Sequence, residues 1–159
     1  MQIVVDVADM KLSKSKSDVI ITYSLGSCLG LVAYDQVNCI GGILHSMLPV
    51  AKDKSEADTN PYKFVDTGVT YFFNKLFEAG AEKRNLVVKA AGCSNIINQG
   101  TVDMFNIGER NYLILRKILW KNDIFIASEE VGGNIPRTVQ LEIMTGKVSI
   151  KNAGTERYL

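Results

Sequence analysis

The chain has 159 residues, of which 47% are hydrophobic and 22% charged. That suffices for one ordinary domain but not for two independent cores, and the mixture is neither disordered nor fibrous. Lys plus Arg number 18 against 17 for Asp plus Glu, a net charge of +1, which argues against a protein built to neutralise the phosphates of a nucleic acid. A smaller count is sharper: there are three cysteines and a single histidine, so any chemistry that needs an imidazole must use His45.

In chain order, Gln2–Val7, Asp18–Tyr23, Cys28–Tyr34 and Asn38–Met47 alternate or carry β-branched runs and are predicted as strands. The last two flank the polar Asp35-Gln36-Val37 and read as a hairpin. Lys11–Ser17 is polar and basic and reads as a solvated loop. Lys52–Asn60 is polar and turn-rich, and Pro61 suits a first helical turn. Phe64, Val65, Val69, Phe72, Phe73 and Leu76 then recur at helical spacing, with Gly80 as the stop; this stripe reads as core. Leu86–Ala90 is a short buried-type strand.

A second helix is predicted from Asn106, an N-cap with Glu109 three residues on in the manner of a capping box, to about Trp120. Asp123–Ala127, Thr138–Met144 and Lys147–Lys151 alternate as strands, with Thr145-Gly146 as a tight turn between the last two. The expected product is a single α+β domain over residues 1–159, with about eight strands and two main helices packed on a mixed sheet. No signal-peptide pattern opens the chain and no apolar run approaches the ~20 residues that span a bilayer, so a cytoplasmic protein with free thiols and no membrane insertion is expected.

Cys39 begins an apolar strand and reads as a small buried hydrophobe; Cys93, in Ala-Ala-Gly-Cys-Ser-Asn, reads as structural at a tight strand exit. A zinc site made of all three cysteines and His45 lacks the C-x₂₋₄-C pair that would hold two ligands together, so no metal is expected. Cys28 stands apart, because Leu25-Gly26-Ser27 before it and Leu29-Gly30 after it permit a sharp turn that aims backbone N–H groups at one point. His45 closes the other strand of the hairpin, and antiparallel pairing brings a strand start and a strand end together. A thiol beside an imidazole is expected to have a lowered pKa, and Thr22 is a candidate third group to orient the ring.

These residues carry a resemblance. Thr22-Tyr23-Ser24-Leu25-Gly26-Ser27-Cys28, then His45-Ser46-Met47-Leu48-Pro49, resemble the chemoreceptor glutamine deamidase family of bacterial and archaeal chemotaxis. The likeness continues through Lys63–Asp66, Asn106–Asn111, Gly132-Gly133-Asn134 with Arg137, and Thr145-Gly146-Lys147. It implies an α/β sandwich like that of deamidating bacterial toxins and a cofactor-free cysteine hydrolase that converts receptor glutamines to glutamates through a thioester. It carries a Cys–His–Thr triad onto Cys28, His45 and Thr22. Gly26 and Ser27 beside the nucleophile are candidate substrate-binding residues, and so are Gly132, Gly133 and Asn134, although a plain turn accounts for these three more simply. The resemblance also implies two partners, a chemoreceptor cytoplasmic domain and a response-regulator phosphatase of the CheC type. The alternatives are a weakly catalytic or non-catalytic module that binds and regulates that phosphatase, and an unrelated Cys–His peptidase. Ser24, Ala91, Cys93, Glu130 and Pro136 depart from the family pattern.

Overall fold

The computed structural model describes residues 1–96 and 105–159. Among these, two five-stranded sheets form. The first runs in the order β1 (Gln2–Val4), β3 (Val19–Leu25), β8 (Arg137–Glu142), β9 (Val148–Asn152), β10 (Thr155–Tyr158). The second runs β2 (Asp9–Ser13), β5 (Ile40–Ser46), β4 (Leu29–Asp35), β6 (Leu86–Gly92), β7 (Ile126–Val131). Both are mixed: β1 pairs with β3 and β6 with β7 in parallel, and the other pairings are antiparallel.

The period-2 alternation of β4 explains the layering. Leu29, Leu31 and Ala33 face two helices, α2 (Val65–Glu78) and α3 (Ile107–Lys121), and pack with Val69, Phe72, Leu76, Leu115 and Leu119. Val32 and Tyr34 face the first sheet and pack with Ile20, Val139, Leu141 and Ile150. Helices, second sheet and first sheet therefore stack as three layers of an α+β sandwich, and every residue of β4 and β5 is buried. In α2, Val65, Val69, Phe72, Phe73 and Leu76 form the predicted buried stripe, and Gly80 at φ 109° closes the helix with Ala81 N–H on Leu76 O at 3.0 Å.

Several sequence expectations need correction. The single mixed sheet is two, and β10 adds a strand the alternation did not reveal. Lys11–Ser13 is not loop but part of edge strand β2, which pairs with β5 from Asp9↔His45 to Ser13↔Gly41. A lysine on such an edge is compatible with pairing because it keeps the outer side wet. Inside the polar stretch before Pro61 a short helix α1 (Lys54–Thr59) forms, capped by the Asp53 carboxylate on Glu56 N. Asn106 does sit at the start of α3 but in a left-handed conformation (φ 48°) with no side-chain cap. The strand predicted at Asp123–Ala127 lies at Ile126–Val131, and that predicted at Gln2–Val7 is shortened to Gln2–Val4. Among the described residues no helix is long and apolar enough to cross a membrane.

Candidate active site

Three segments converge at one end of the sandwich. The first is β3, which carries a bulge: Thr22 pairs with Val139 but Leu25 with Arg137, so one extra residue sits on β3. Ser24 lies within it at φ 53°. The bulge turns both Thr22 and Leu25 inward, each fully buried, while Tyr23 and Ser24 face out. Without it, residues three apart on a strand would point to opposite faces.

The second is the hairpin of β4 and β5. Gly30 lies opposite His45 and Leu29 opposite Ser46, so Cys28, one residue ahead of β4, is diagonal to His45 across the pair. Ile43, two before His45, faces the space between the sheets, and Cys28 packs against the same inter-sheet cluster. His45 is 1% exposed, and its Nδ1 lies 2.8 Å from Thr22 Oγ1. The Thr22 hydroxyl also reaches Val5 O at 2.9 Å. A carbonyl only accepts, so the hydroxyl proton is committed to Val5 and the imidazole must donate from Nδ1–H. Nε2 then carries a lone pair, and it is buried without a hydrogen-bond partner among the described residues.

The third is the loop Gly26–Cys28, whose carbonyls are all anchored. Gly26 O accepts from Ser94 N at 2.9 Å, Ser27 O from Asn111 Nδ2 at 2.9 Å, and Cys28 O from Cys93 N at 2.8 Å. In a trans peptide the N–H points opposite to the C=O, so the N–H groups of Ser27 and Cys28 point away from these anchors. The anchoring depends on two glycines. A Cβ on Gly92 would lie 2.3 Å from Cys28 O, and one on Gly108 would lie 2.4 Å from Ser94 O, so β6 approaches the loop, and α3 the segment after β6, backbone to backbone. Arg137, 5% exposed, braces the same segment from behind: Nη1 donates to Ser94 Oγ at 2.8 Å and Gly92 O at 3.2 Å, and Nε to Glu130 at 3.1 Å.

Burial decides the charges. It pushes the Cys28 thiol above its ordinary value, an effect partly offset by its own backbone N–H. Burial also holds His45 down to about 4, against a smaller opposing pull from Asp6. The pair therefore rests as thiol and neutral imidazole. This corrects the expectation of a lowered thiol pKa, because desolvation disfavours both charged forms.

The other sequence candidates fall into place unevenly. Gly26 and Ser27 form the anchored loop. Gly132 donates to Gly92 O at 3.0 Å, and Gly133 O accepts from Asn95 N at 2.7 Å, so this turn is stitched to the segment that holds the loop. Gly132 also lines a cavity of about 190 Å³ with Cys93, Asn106, Gly108 and Tyr112, on the helix side of the sheet and without Cys28 or His45. Gly133 and Asn134 are exposed and do not line it. Cys93 is buried with the helix-side cluster, as predicted. Cys39 is not a buried strand residue but half-buried in the hairpin turn at φ 54°. It lies at the far end of β5 from His45, roughly 20 Å away along the strand, so the three cysteines do not gather round the histidine.

The sequence places the Asn106–Asn111 block near the site as a helix cap that orders a loop; the cap is absent, but Asn111, on the buried face of α3 in line with Leu115 and Leu119, does bond to the Gly26–Cys28 loop. Ser94 and the Val5 carbonyl were missed as parts of this site and left no legible signal.

The family model described as CheD chemotactic sensory transduction matches residues 47–152. This chain belongs to the CheD family. It is 44% identical over 159 residues to a probable chemoreceptor glutamine deamidase CheD of Solibacter usitatus, covering 99% of this chain and 93% of that one. It is 40% identical over 153 residues to a probable chemoreceptor glutamine deamidase CheD 1 of Syntrophus aciditrophicus, covering 96% and 94%. A Clostridium tetani CheD of the same description is 42% identical over 151 residues, covering 94% and 90%. A solved structure of a Neisseria meningitidis protein is similar at a TM-score of 0.45, with 9% identity over 84% of this chain and 63% of that chain.

Proposed function

We propose that this CheD family member hydrolyses the side-chain amide of glutamines on chemoreceptor cytoplasmic segments, giving glutamate and ammonia. The observation that carries the reading is the one-way chain His45 Nδ1–H to Thr22 Oγ1–H to Val5 O. It leaves the Nε2 lone pair buried on the face that Cys28 shares.

In this mechanism Nε2 takes the thiol proton as Cys28 Sγ bonds to the amide carbon, so no preformed thiolate is required. The tetrahedral oxyanion meets the N–H groups of Ser27 and Cys28, and one such donor is worth ~10²–10³ in rate. The imidazolium returns its proton to the amide nitrogen, the C–N bond breaks and ammonia leaves a thioester. Water then attacks with Nε2 accepting its proton, the C–S bond breaks and the thiol is restored. Thr22 keeps the ring in the productive tautomer throughout. Family membership also supports a response-regulator phosphatase of the CheC type as partner.

The test incubates the protein with a receptor cytoplasmic fragment and follows ammonia release and glutamine-to-glutamate conversion by mass spectrometry. Cys28→Ala and His45→Ala should abolish conversion, and Cys39→Ala should retain it. Equal activity in Cys28→Ala would overturn the mechanism, and peptide cleavage without ammonia would replace deamidation by proteolysis.

A further inference from the structure

Cys28 and Met47 both lie just beyond the last register pair of the β4–β5 ladder, Leu29↔Ser46. Strand pairing therefore stops before it can fix the nucleophile loop against the segment that follows His45. One side chain spans that gap. Asn111, fully buried on α3, donates from Nδ2 to Ser27 O at 2.9 Å and to Met47 O at 3.0 Å. These carbonyls belong to the residue before Cys28 and the second residue after His45.

We propose that Asn111 is a positioning residue, which sets the separation of Cys28 and His45 by tying their two segments to one amide. The proposal rests on the reaction assigned above to that pair. A neutral amide NH₂ serves two carbonyls at once without burying a charge, whereas aspartate has no proton to give, a hydroxyl has one and leucine none. Stability alone would not choose this residue. Asn111 sits on the apolar stripe of α3 with Leu115 and Leu119, and its Oδ1 is buried without a hydrogen-bond partner among the described residues. Such an orphan acceptor is a liability an apolar residue would avoid. Gly108, three residues earlier, lets α3 come close enough for the short side chain to reach. On the far side, Met47 is held by its own N–H on Lys63 O at 2.8 Å, so the tie pulls against a fixed point.

The experiment compares Asn111→Ala and Asn111→Ser with Leu119→Ala, a buried change on the same helix away from the tie. Each full-length variant is assayed for kcat and KM with the receptor fragment and for the pH dependence of Cys28 alkylation by iodoacetamide, located by peptide mass spectrometry. Misplacement of a reacting group by about an ångström lowers turnover about 10²-fold. Asn111→Ala should therefore lose about 10–100-fold in kcat with KM unchanged, and Asn111→Ser, with one donor, should fall between it and the parent. The alkylation profile should shift in both, whereas Leu119→Ala should lower the melting temperature and leave kcat and the profile alone. Unchanged kcat in Asn111→Ala below its melting temperature overturns the proposal, as does an equal loss in Leu119→Ala. If neither Asn111 variant folds, the side chain serves stability and the proposal fails. If the parent releases no ammonia, the reaction assigned above fails, and the substrate-free alkylation profiles still decide whether the tie sets the environment of Cys28.

Discussion

Replacing Thr22 by valine removes one hydroxyl from the middle of a buried chain and keeps the branched shape that β3 packs inward. Two groups lose their partner at once, the Val5 carbonyl and the His45 Nδ1–H, at 2.9 and 2.8 Å in the parent. An unsatisfied buried group costs about 1–3 kcal/mol. The imidazole has an escape that the carbonyl lacks, since it can move its proton from Nδ1 to Nε2. The stability loss should therefore be about 2–3 kcal/mol, dominated by the carbonyl, and visible as a lower urea midpoint with unchanged slope. The escape removes the Nε2 lone pair that the proposed mechanism uses as base, so kcat for ammonia release should fall by about 10²–10⁴, the usual worth of a positioned general base. Nitrogen NMR of the imidazole should find Nδ1 protonated in the parent and the other tautomer gaining in Thr22→Val, and Thr22→Ser should restore both tautomer and rate. An Nε2-protonated parent, or a Thr22→Val enzyme with parental kcat, would refute the reasoning.

The pH dependence follows from burial. Because His45 is held at about 4 in the fold against 6.5 ordinarily, the unfolded chain binds the extra proton between those values. Stability should be complete above pH 6.5 and fall toward pH 4, by about 3 kcal/mol, as urea titrations at stepped pH would record. The acid limb of kcat/KM should lie near 4; a limb near 6.5 would mean a solvated imidazole. Gly108→Ala should cost about 1–3 kcal/mol, because its Cβ meets the Ser94 carbonyl rather than a yielding side chain, and should lower kcat beyond the stability loss as Asn111 is pushed out. Ser24→Gly should be neutral or stabilising, since relief of the left-handed conformation, about 1–2 kcal/mol, outweighs the added chain entropy of glycine, about 0.5–1 kcal/mol; clear destabilisation in urea would count against the bulge geometry.

The arrangement of the candidate site was legible where it is local. The glycine-flanked Cys28, the single histidine at a strand end and the hairpin turn between them are short-range features, and pairing rules convert them into neighbours. The α2 stripe was legible for the same reason, as its period is written in consecutive residues. What stayed hidden depends on contacts across the chain. Division into two sheets is decided by which strands share an edge, and Lys11–Ser13 became a strand only because the edge of β5 was available. The charges of Cys28 and His45 were misread because spacing reveals proximity but not the depth of burial, and here burial outweighs proximity.

The anchors of the Gly26–Cys28 loop also have a consequence for how the proposed activity is acquired. Asn111 meets Ser27 across 84 positions and Met47 across 64, and Arg137 meets Gly92 across 45. Contacts of such sequence separation are closed late, because loop entropy must be overcome before they form. A chain that had built its hairpin and α2 but not yet docked α3 would hold Cys28 and His45 on adjacent strands with the loop unbraced. Turnover per molecule therefore counts completed folds rather than collapsed ones, and its recovery during refolding should trail the return of helical signal.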